Sequence, residues 1–273
     1  MRPGGSLVRP AAARGETPRS PEIPDDVLAS QLDPGARSRL RTLSKDNADG
    51  VARHLVMAGR LIEEDPELAY EHAQAAVRRA GRVDVVREAA AITAYRTARW
   101  AEALREFRTV RRLNGSEEHL PLIADCERGL GRPDRALAVA QEDAARTLAA
   151  PLQIELAMVV AGARLDLGDP EAALAVLSSP LVRGATGELA DRVTEARAEV
   201  LEAAGRGAEA SKLRATLAQA DEPEAWDVVV FDLEDDDEDG GSPAGPDDDA
   251  SDTDGAPLEA DAAEVHTDPR DVG

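Results

Sequence analysis

The chain has 273 residues, an apolar content of 42% and a formal net charge of −22 at pH 7. Aromatic residues make up only 2% and there is one cysteine, which argues against a β-sheet core and rules out an internal disulfide. From residue 221 onward 21 acidic residues face one basic residue, whereas residues 1–220 hold 33 acidic and 31 basic residues. The negative charge therefore belongs to the C-terminal tail and does not characterise the rest of the chain.

Residues 1–22 are rich in Pro, Gly and Arg and lack apolar periodicity, which predicts a disordered segment. They contain no apolar run suited to a signal peptide, and no segment of the chain reaches the roughly 18 apolar residues that span a membrane. We therefore expect a soluble, cytoplasmic protein. Residues 23–46 predict a helical cap, in which Asp33 suits an N-cap and Pro34 the first turn of a helix.

Residues 47–220 contain a short pattern five times, each time with Ala at its third position. These alanines, spaced by 34, 33, 37 and 37 residues, are Ala69, Ala103, Ala136, Ala173 and Ala210. A repeat near 34 residues with a small residue at a fixed point is typical of stacked helix-turn-helix units. The pattern predicts an all-α array of about five helical pairs.

Capping residues and turn glycines predict where the helices of these units begin and end. In the first unit it predicts helices near 47–63 and 66–80, with Asp65 as a cap. In three later units Gly131, Gly168 and Gly205 mark the turn between the two helices, because glycine adopts positive φ at no steric cost. In the third unit we expect a continuous second helix over residues 132–148.

Residues 221–273 predict an acidic, disordered tail. Within it, Trp226 and Phe231 form an apolar island, which could be a linear motif that docks in a groove or a cover for the end of the fifth unit. The acidic residues could bind a basic partner, mimic nucleic acid, fold back on a basic surface or keep the protein in solution.

The second unit carries Ala90 and Ala91 in its first helix, followed by Trp100, Ala103 and Phe107. The fourth carries Val160, Ala161, Gly168, Ala173 and Leu177 at the corresponding places. Residues 47–220 thereby resemble the tetratricopeptide repeat, which implies a right-handed α-α solenoid whose first helices line a concave groove for peptides or helices. Two departures are the absent closing proline and the absent aromatic late in the first helix. The residues at that aromatic position are Arg60, Ala94, Glu127, Arg164 and Leu201.

Repeat phase selects the side chains that would line this groove. They are His54, Glu88, Ile92, Tyr95, Asp125, Arg128 and Met158. Because the selection depends on phase alone, a shift of one residue would move the whole set.

Arginines are concentrated over residues 78–112, and Arg105, Arg108 and Arg112 share one helix face by their spacing. This basic patch could bind an acidic peptide, RNA phosphates or the protein's own tail. It could also be a solvated face with local ion pairs such as Glu102–Arg105.

The sequence contains no phosphate-binding loop, no nucleophile elbow and no metal-ligand spacing among its histidines. We expect Cys126 to be a small core residue. No cofactor and no metal is predicted, and we expect no enzymatic activity. The sequence favours an adaptor that binds one or more proteins. The alternatives are a nucleic-acid- or ribosome-associated factor using the basic patch, and a module regulated by its own tail. Partner identity and oligomeric state stay open.

Overall fold

The computed structural model of the protein describes residues 20–220, with the backbone alone for residues 219–220. This range contains thirteen α-helices, two short 3-10 helices at Ala29–Gln31 and Leu40–Thr42, and no strand. The α-helices are α1 (Pro34–Arg39), α2 (Lys45–Leu61), α3 (Pro66–Ala80), α4 (Asp84–Arg96), α5 (Trp100–Asn114), α6 (Leu120–Gly129), α7 (Pro133–Ala140), α8 (Asp143–Thr147), α9 (Ala150–Asp166), α10 (Pro170–Leu177), α11 (Pro180–Arg183), α12 (Glu188–Ala203) and α13 (Gly207–Ala220). None of these helices is both long enough and apolar enough to cross a lipid bilayer.

Ten of the helices form five consecutive pairs: α2–α3, α4–α5, α6–α7, α9–α10 and α12–α13. The two helices of each pair pack against each other, and the second helix of each pair packs against the first helix of the next. The all-helical, repeat-like organisation that the sequence predicts is confirmed.

The five repeated alanines lie on the second helices, and each is fully buried. Ala69, Ala103, Ala136, Ala173 and Ala210 all have 0% exposure. A methyl side chain lets two helices approach closely, so a small residue at this point sets the distance within each pair. The repeated feature of the sequence is therefore the anchor of the packing.

Four of the five pairs share one three-residue turn. Its middle residue has positive φ: 55° at Ala98, 69° at Gly131, 78° at Gly168 and 76° at Gly205. The next residue donates its N–H to a carbonyl five residues earlier, as Arg132 does to Glu127 at 2.9 Å. This pair of features closes the first helix and reverses the chain. The glycines predicted to mark the turns therefore lie where left-handed backbone is needed.

The turn of the first pair is one residue longer and is built differently. It spans residues 62–65 between α2 and α3 and contains no residue of positive φ. Asp65 caps α3 by accepting a hydrogen bond from Leu68 N at 3.0 Å, and Pro66 occupies the first helical position. The predicted cap is confirmed.

The third and fourth pairs differ in another way, because their second helices end early. The prediction of a continuous helix over residues 132–148 is wrong: α7 ends at Ala140 and α8 begins at Asp143. Glu142 has an extended backbone (φ −61°, ψ 146°), and the resulting bend brings Ala145 and Leu148 into the core. Burial of these apolar side chains favours the break over a straight helix. In the fourth pair α11 follows α10 in a similar arrangement.

The segment before α2 covers the first pair. Asp33 accepts a hydrogen bond from Ala36 N at 3.0 Å and caps α1, as expected. Leu40 packs into the core of α2–α4 and Val27 packs against another side of α2. Both side chains are buried, so this segment shields the end of the array from water.

Candidate functional site

An apolar hollow lies between α2 and α4, the first helices of the first two pairs. Its volume is about 250 Å³. We call it the α2–α4 hollow, and it is lined by Leu32, Leu55, Ala58, Gly59, Ile62, Val85, Glu88, Ala89, Ile92 and Thr93. Two of the predicted groove residues, Glu88 and Ile92, line it. Apart from Glu88 and Thr93 its lining is apolar, so the hollow offers hydrocarbon surface that an incoming apolar side chain could cover.

The structure places His54 away from this hollow, in the interior of the first pair. His54 is 2% exposed, and its Nδ1 lies 3.0 Å from Nδ1 of His72 on α3. The prediction placed His54 relative to Ala69 by the spacing that places Glu88 relative to Ala103. The turn between α2 and α3 differs from the other turns, so this spacing does not carry over to α2, and Leu55 rather than His54 lines the hollow.

Among residues 20–220 the buried histidine pair has no charged partner in hydrogen-bond contact. Burial lowers the pKa of His54 to about 4, and the nearby charges of His72, Arg79, Arg78 and Arg53 act in the same direction. Burial also lowers the pKa of His72. Both imidazoles are therefore neutral at pH 7, when one Nδ1–H donates to the other Nδ1. Reasoning from the sequence missed this pair because the two histidines lie on different helices.

Three other predicted residues form one hydrogen-bonded network. The hydroxyl of Tyr95 donates to Asp125 Oδ2 at 2.6 Å. Arg128 donates from Nη1 to Asp125 Oδ1 at 2.9 Å and from Nε to Asp166 Oδ2 at 2.8 Å. The network links α4, α6 and α9, the first helices of three successive pairs. Burial, and then the bond to Asp125, raises the pKa of the Tyr95 hydroxyl, which stays protonated at neutral pH.

Two glycines, Gly162 and Gly129, lie directly against the side chains of Arg128 and Trp100. A Cβ at Gly162 would lie 2.6 Å from Arg128 Cζ, and one at Gly129 would lie 2.6 Å from the ring of Trp100. A side chain at position 129 would clash with the Trp100 ring, whereas one at position 162 would displace the guanidinium of Arg128 from its present place. The network therefore packs closely against α6 and α9 and connects the second, third and fourth pairs.

The remaining predicted groove residues also have intramolecular contacts. Glu88 Oε1 lies 2.9 Å from Nε2 of His119, the residue that precedes α6. Met158 is half-buried on α9 and packs against the core formed with α12. Of the seven predicted side chains, Glu88 and Ile92 share the hollow, three form the network, and His54 and Met158 lie apart from both.

The basic patch forms a separate surface on α5 and the α6–α7 turn. We call Arg105, Arg108, Arg112 and Arg132 the arginine cluster, since together they line one depression. Arg105 and Arg108 are both exposed. Arg112 is also exposed and lies on the same side of α5, as its spacing predicts.

Carboxylates hold Arg105 and Arg108, and the buried Glu106 among them was not singled out by the sequence. Arg105 Nη2 lies 3.0 Å from Glu106 Oε1 and 3.9 Å from Glu102 Oε1. Arg108 Nη2 lies 2.7 Å from Glu127 Oε1. Glu106 and Glu127 are 4% and 1% exposed, and a buried carboxylate requires such a partner. Glu127 occupies the position at which the repeat lacks its aromatic residue, which was the one sequence signal that this side chain faces inward.

No group of side chains suggests catalysis or metal binding within residues 20–220. No cluster of three or more His, Cys, Asp or Glu residues could hold a metal ion there. Cys126 is fully buried, and burial raises the pKa of its thiol to about 12. The thiol is therefore protonated at neutral pH and behaves as a core residue, as predicted.

The predicted tail motif, Trp226 and Phe231, lies outside the described residues. Comparisons with models of protein families, with curated proteins and with solved structures give no match for the chain. The function of the protein is therefore inferred from its own surfaces, namely the hollow, the network and the arginine cluster.

Proposed function

We propose that the protein is a non-enzymatic adaptor that binds a peptide or helix of a partner protein on its first-helix face. The α2–α4 hollow carries this proposal. It is a concave apolar surface between two successive first helices, with one carboxylate among its lining residues. Grooves of this kind take up the apolar face of a helix or an extended peptide.

The proposal includes the finer description of the fold as a right-handed solenoid of the tetratricopeptide type. The five buried alanines support it, as do the four turns whose middle residue has positive φ. In such an array the first helices face the concave side, where the hollow lies. The broken second helices of the third and fourth pairs are a departure from that type.

The chemistry of the hollow indicates its partner. Leu55, Ile62, Val85 and Ile92 supply apolar surface from two helices, so the partner would insert one or two bulky apolar side chains. Glu88 already contacts His119. Affinity would therefore come mainly from apolar burial, about 25 cal/mol per Å², and would change little with salt concentration.

A capture experiment on the full chain tests this function. Ile92→Gln places a polar group in the hollow, and Leu113→Gln changes a comparably apolar residue, 43% exposed, on second helix α5. Both variants and the parent chain would capture proteins from nuclease-treated native lysate, with quantification by mass spectrometry. We expect a discrete protein set that Ile92→Gln depletes at least roughly tenfold, as expected for the loss of an apolar anchor, and that Leu113→Gln retains.

Two results would refute the proposed function. One is an equal yield from all three chains when Ile92→Gln melts at the parent temperature. The other is a set that is captured from untreated lysate and is absent after nuclease treatment, in a parallel capture with the parent chain.

The alternative is a nucleic-acid- or ribosome-associated factor that uses the arginine cluster. Its ion pairs with Glu106 and Glu127 lower the charge available to phosphates, and none of the described residues that line the depression is aromatic. Changing Arg105, Arg108 and Arg112 to Ala together would abolish such binding. Binding would also fall steeply with salt concentration. The apolar hollow favours the adaptor over this alternative.

A further inference from the structure

A second open surface lies on the third and fourth pairs, where the array departs from its regular repeat. It is a groove of about 360 Å³, which we call the α7–α10 groove because residues of α7, α9 and α10 line it. It shares no lining residue with the α2–α4 hollow. An inference about its ligand is therefore independent of the proposed function.

Helix α9 forms the floor of the groove because the helices beside it are short. It has 17 residues, whereas α7 and α10, the second helices packed against it, have 8 each. In the regular part of the array, α4 has 13 residues and lies between second helices of 15 residues each. At about 1.5 Å per residue, α9 extends about 25 Å, and α7 and α10 about 12 Å. Part of α9 therefore has no continuous second helix beside it.

The face of α9 in the groove is mainly apolar along its middle. Gln153, Leu156, Ala157, Val160 and Arg164 line the groove. Their spacings of three and four residues place them on one side of the helix. This side carries an apolar stripe that ends in a basic residue.

Apolar side chains from the flanking helices complete the surface. Leu137 lies on α7, Val176 on α10 and Leu181 on the short helix α11, and all three line the groove. Leu181 is 39% exposed. A large apolar side chain is thereby left in contact with water, and its burial under a ligand is favourable.

Two arginines give the groove a positive rim. Among the described residues that line it, only Arg146 and Arg164 are charged. Arg146 pairs with Asp143, an exposed carboxylate outside the lining. Arg164 is half-buried and takes part in none of the ion pairs found within residues 20–220. A half-buried guanidinium beside apolar side chains is complementary to a carboxylate of a ligand.

We propose that the α7–α10 groove binds a short amphipathic helix of another protein, with acidic residues beside its apolar stripe. The apolar stripe would cover Val160, Val176 and Leu181, and a carboxylate would pair with Arg164. A helix suits the groove better than an extended peptide, because a helix satisfies its own backbone hydrogen bonds and the helices that line the groove offer it no free backbone groups. Apolar residues at every third or fourth position of the ligand would match this surface.

Peptide selection against the full chain tests this inference. The probe is a displayed library of random peptides of about 16 residues, roughly four helical turns. It is selected on the parent chain and counter-selected on Leu181→Glu. We expect the peptides that distinguish the two chains to carry apolar residues at spacings of three and four, with more Asp and Glu than Lys and Arg.

A charge exchange tests the role of Arg164. A synthetic peptide from the selection should bind Arg164→Glu roughly tenfold more weakly than the parent, because an attraction becomes a repulsion. The same peptide with Lys in place of its acidic residues should bind Arg164→Glu more tightly than it binds the parent. Recovery of this kind also shows that the variant is folded. Fluorescence anisotropy of the labelled peptides measures these affinities.

Two control variants define the site. Leu167→Glu places the same charge on an exposed leucine (43%) in the α9–α10 turn, outside the groove, and should leave the affinity unchanged. Ile92→Gln, in the α2–α4 hollow, should also bind the peptide as the parent does. Failure of the proposed function at the hollow would therefore leave this binding intact.

Three outcomes would overturn the proposal. The first is a selection in which no peptide distinguishes the parent from Leu181→Glu. The second is a set of groove-dependent peptides that are basic or uncharged, or a charge exchange without recovery. The third is self-association of the parent chain that Leu181→Glu abolishes, which would place a second copy of this chain in the groove.

Discussion

The first helical pair and the third and fourth pairs contain additional residues in different places, with different consequences. In the first pair one additional residue lies in the turn, which contains no residue of positive φ. In the third and fourth pairs the additional residues follow the second helix, and they form α8 and α11 along a new groove. The additional residue within the first pair accompanies a different kind of turn, whereas those after the third and fourth pairs create surface.

The largest expected effect is a loss of stability at low pH, and it concerns the buried pair His54 and His72. The pKa of His54 is about 4 in the folded chain, against 6.5 ordinarily. Because the unfolded chain binds the proton more readily, this contribution to stability is fully present above pH 6.5 and is lost as the pH falls towards 4. We expect a loss of about 3 kcal/mol over that range, at about 1.4 kcal/mol per unit of pKa shift. Urea unfolding at pH 7 and pH 4 measures it.

The control for this prediction is His54→Gln, which removes the titrating group. The variant should lose less stability between the two pH values than the parent, since the carboxylates common to both chains cancel in the comparison. Equal losses in the two chains would contradict the buried neutral pair.

The next largest effect tests the buried alanine that the first and fourth pairs have in common. Ala69 anchors the first pair and Ala173 the fourth, and both are fully buried. We expect Ala69→Leu and Ala173→Leu each to cost about 1–3 kcal/mol, because a larger side chain forces the helices apart. Ala138→Leu on the exposed side of α7 should cost little. If chemical denaturation shows that Ala69→Leu or Ala173→Leu is tolerated as well as this control, the common anchor is refuted.

The smallest expected effect on stability distinguishes the turns that contain a residue of positive φ from the first turn, which contains none. Ala98 has φ 55° in a turn where the other pairs use glycine, so Ala98→Gly should stabilise the chain by roughly 1 kcal/mol. Gly168→Ala should destabilise it by a similar amount. Glu64→Gly lies in the first turn, which has no residue of positive φ, and it should give no gain. Thermal unfolding of the three variants would disagree with these assignments if Glu64→Gly stabilised the chain as much as Ala98→Gly.

Much of the helical framework was predictable because its signals are local. Five alanines, three turn glycines and the Asp–Pro starts of α1 and α3 identify helices and reversals within a few residues. These signals depend on backbone geometry and on small side chains, which act in the same way in every unit.

The details of the surface were less predictable because they depend on contacts between distant residues. Nothing between Gln141 and Glu142 marks a break, which results from the burial of Ala145 and Leu148. Repeat spacing does not foresee the different turn of the first pair, so it placed His54 in the groove although the side chain is buried, whereas Glu88 and Ile92 line the hollow. Burial of Glu127 depends on Arg108, which lies 19 residues earlier on another helix.

Site-specific photo-cross-linking in the native cell tests the central claim, that the α2–α4 hollow binds a partner protein. A photoreactive residue at position 62 lies at the hollow, and one at position 113 lies on second helix α5, outside it. We predict that position 62 cross-links to a discrete protein, that position 113 does not, and that Ile92→Gln removes the product. Absence of any product from position 62, or the same product from both positions, would contradict the account.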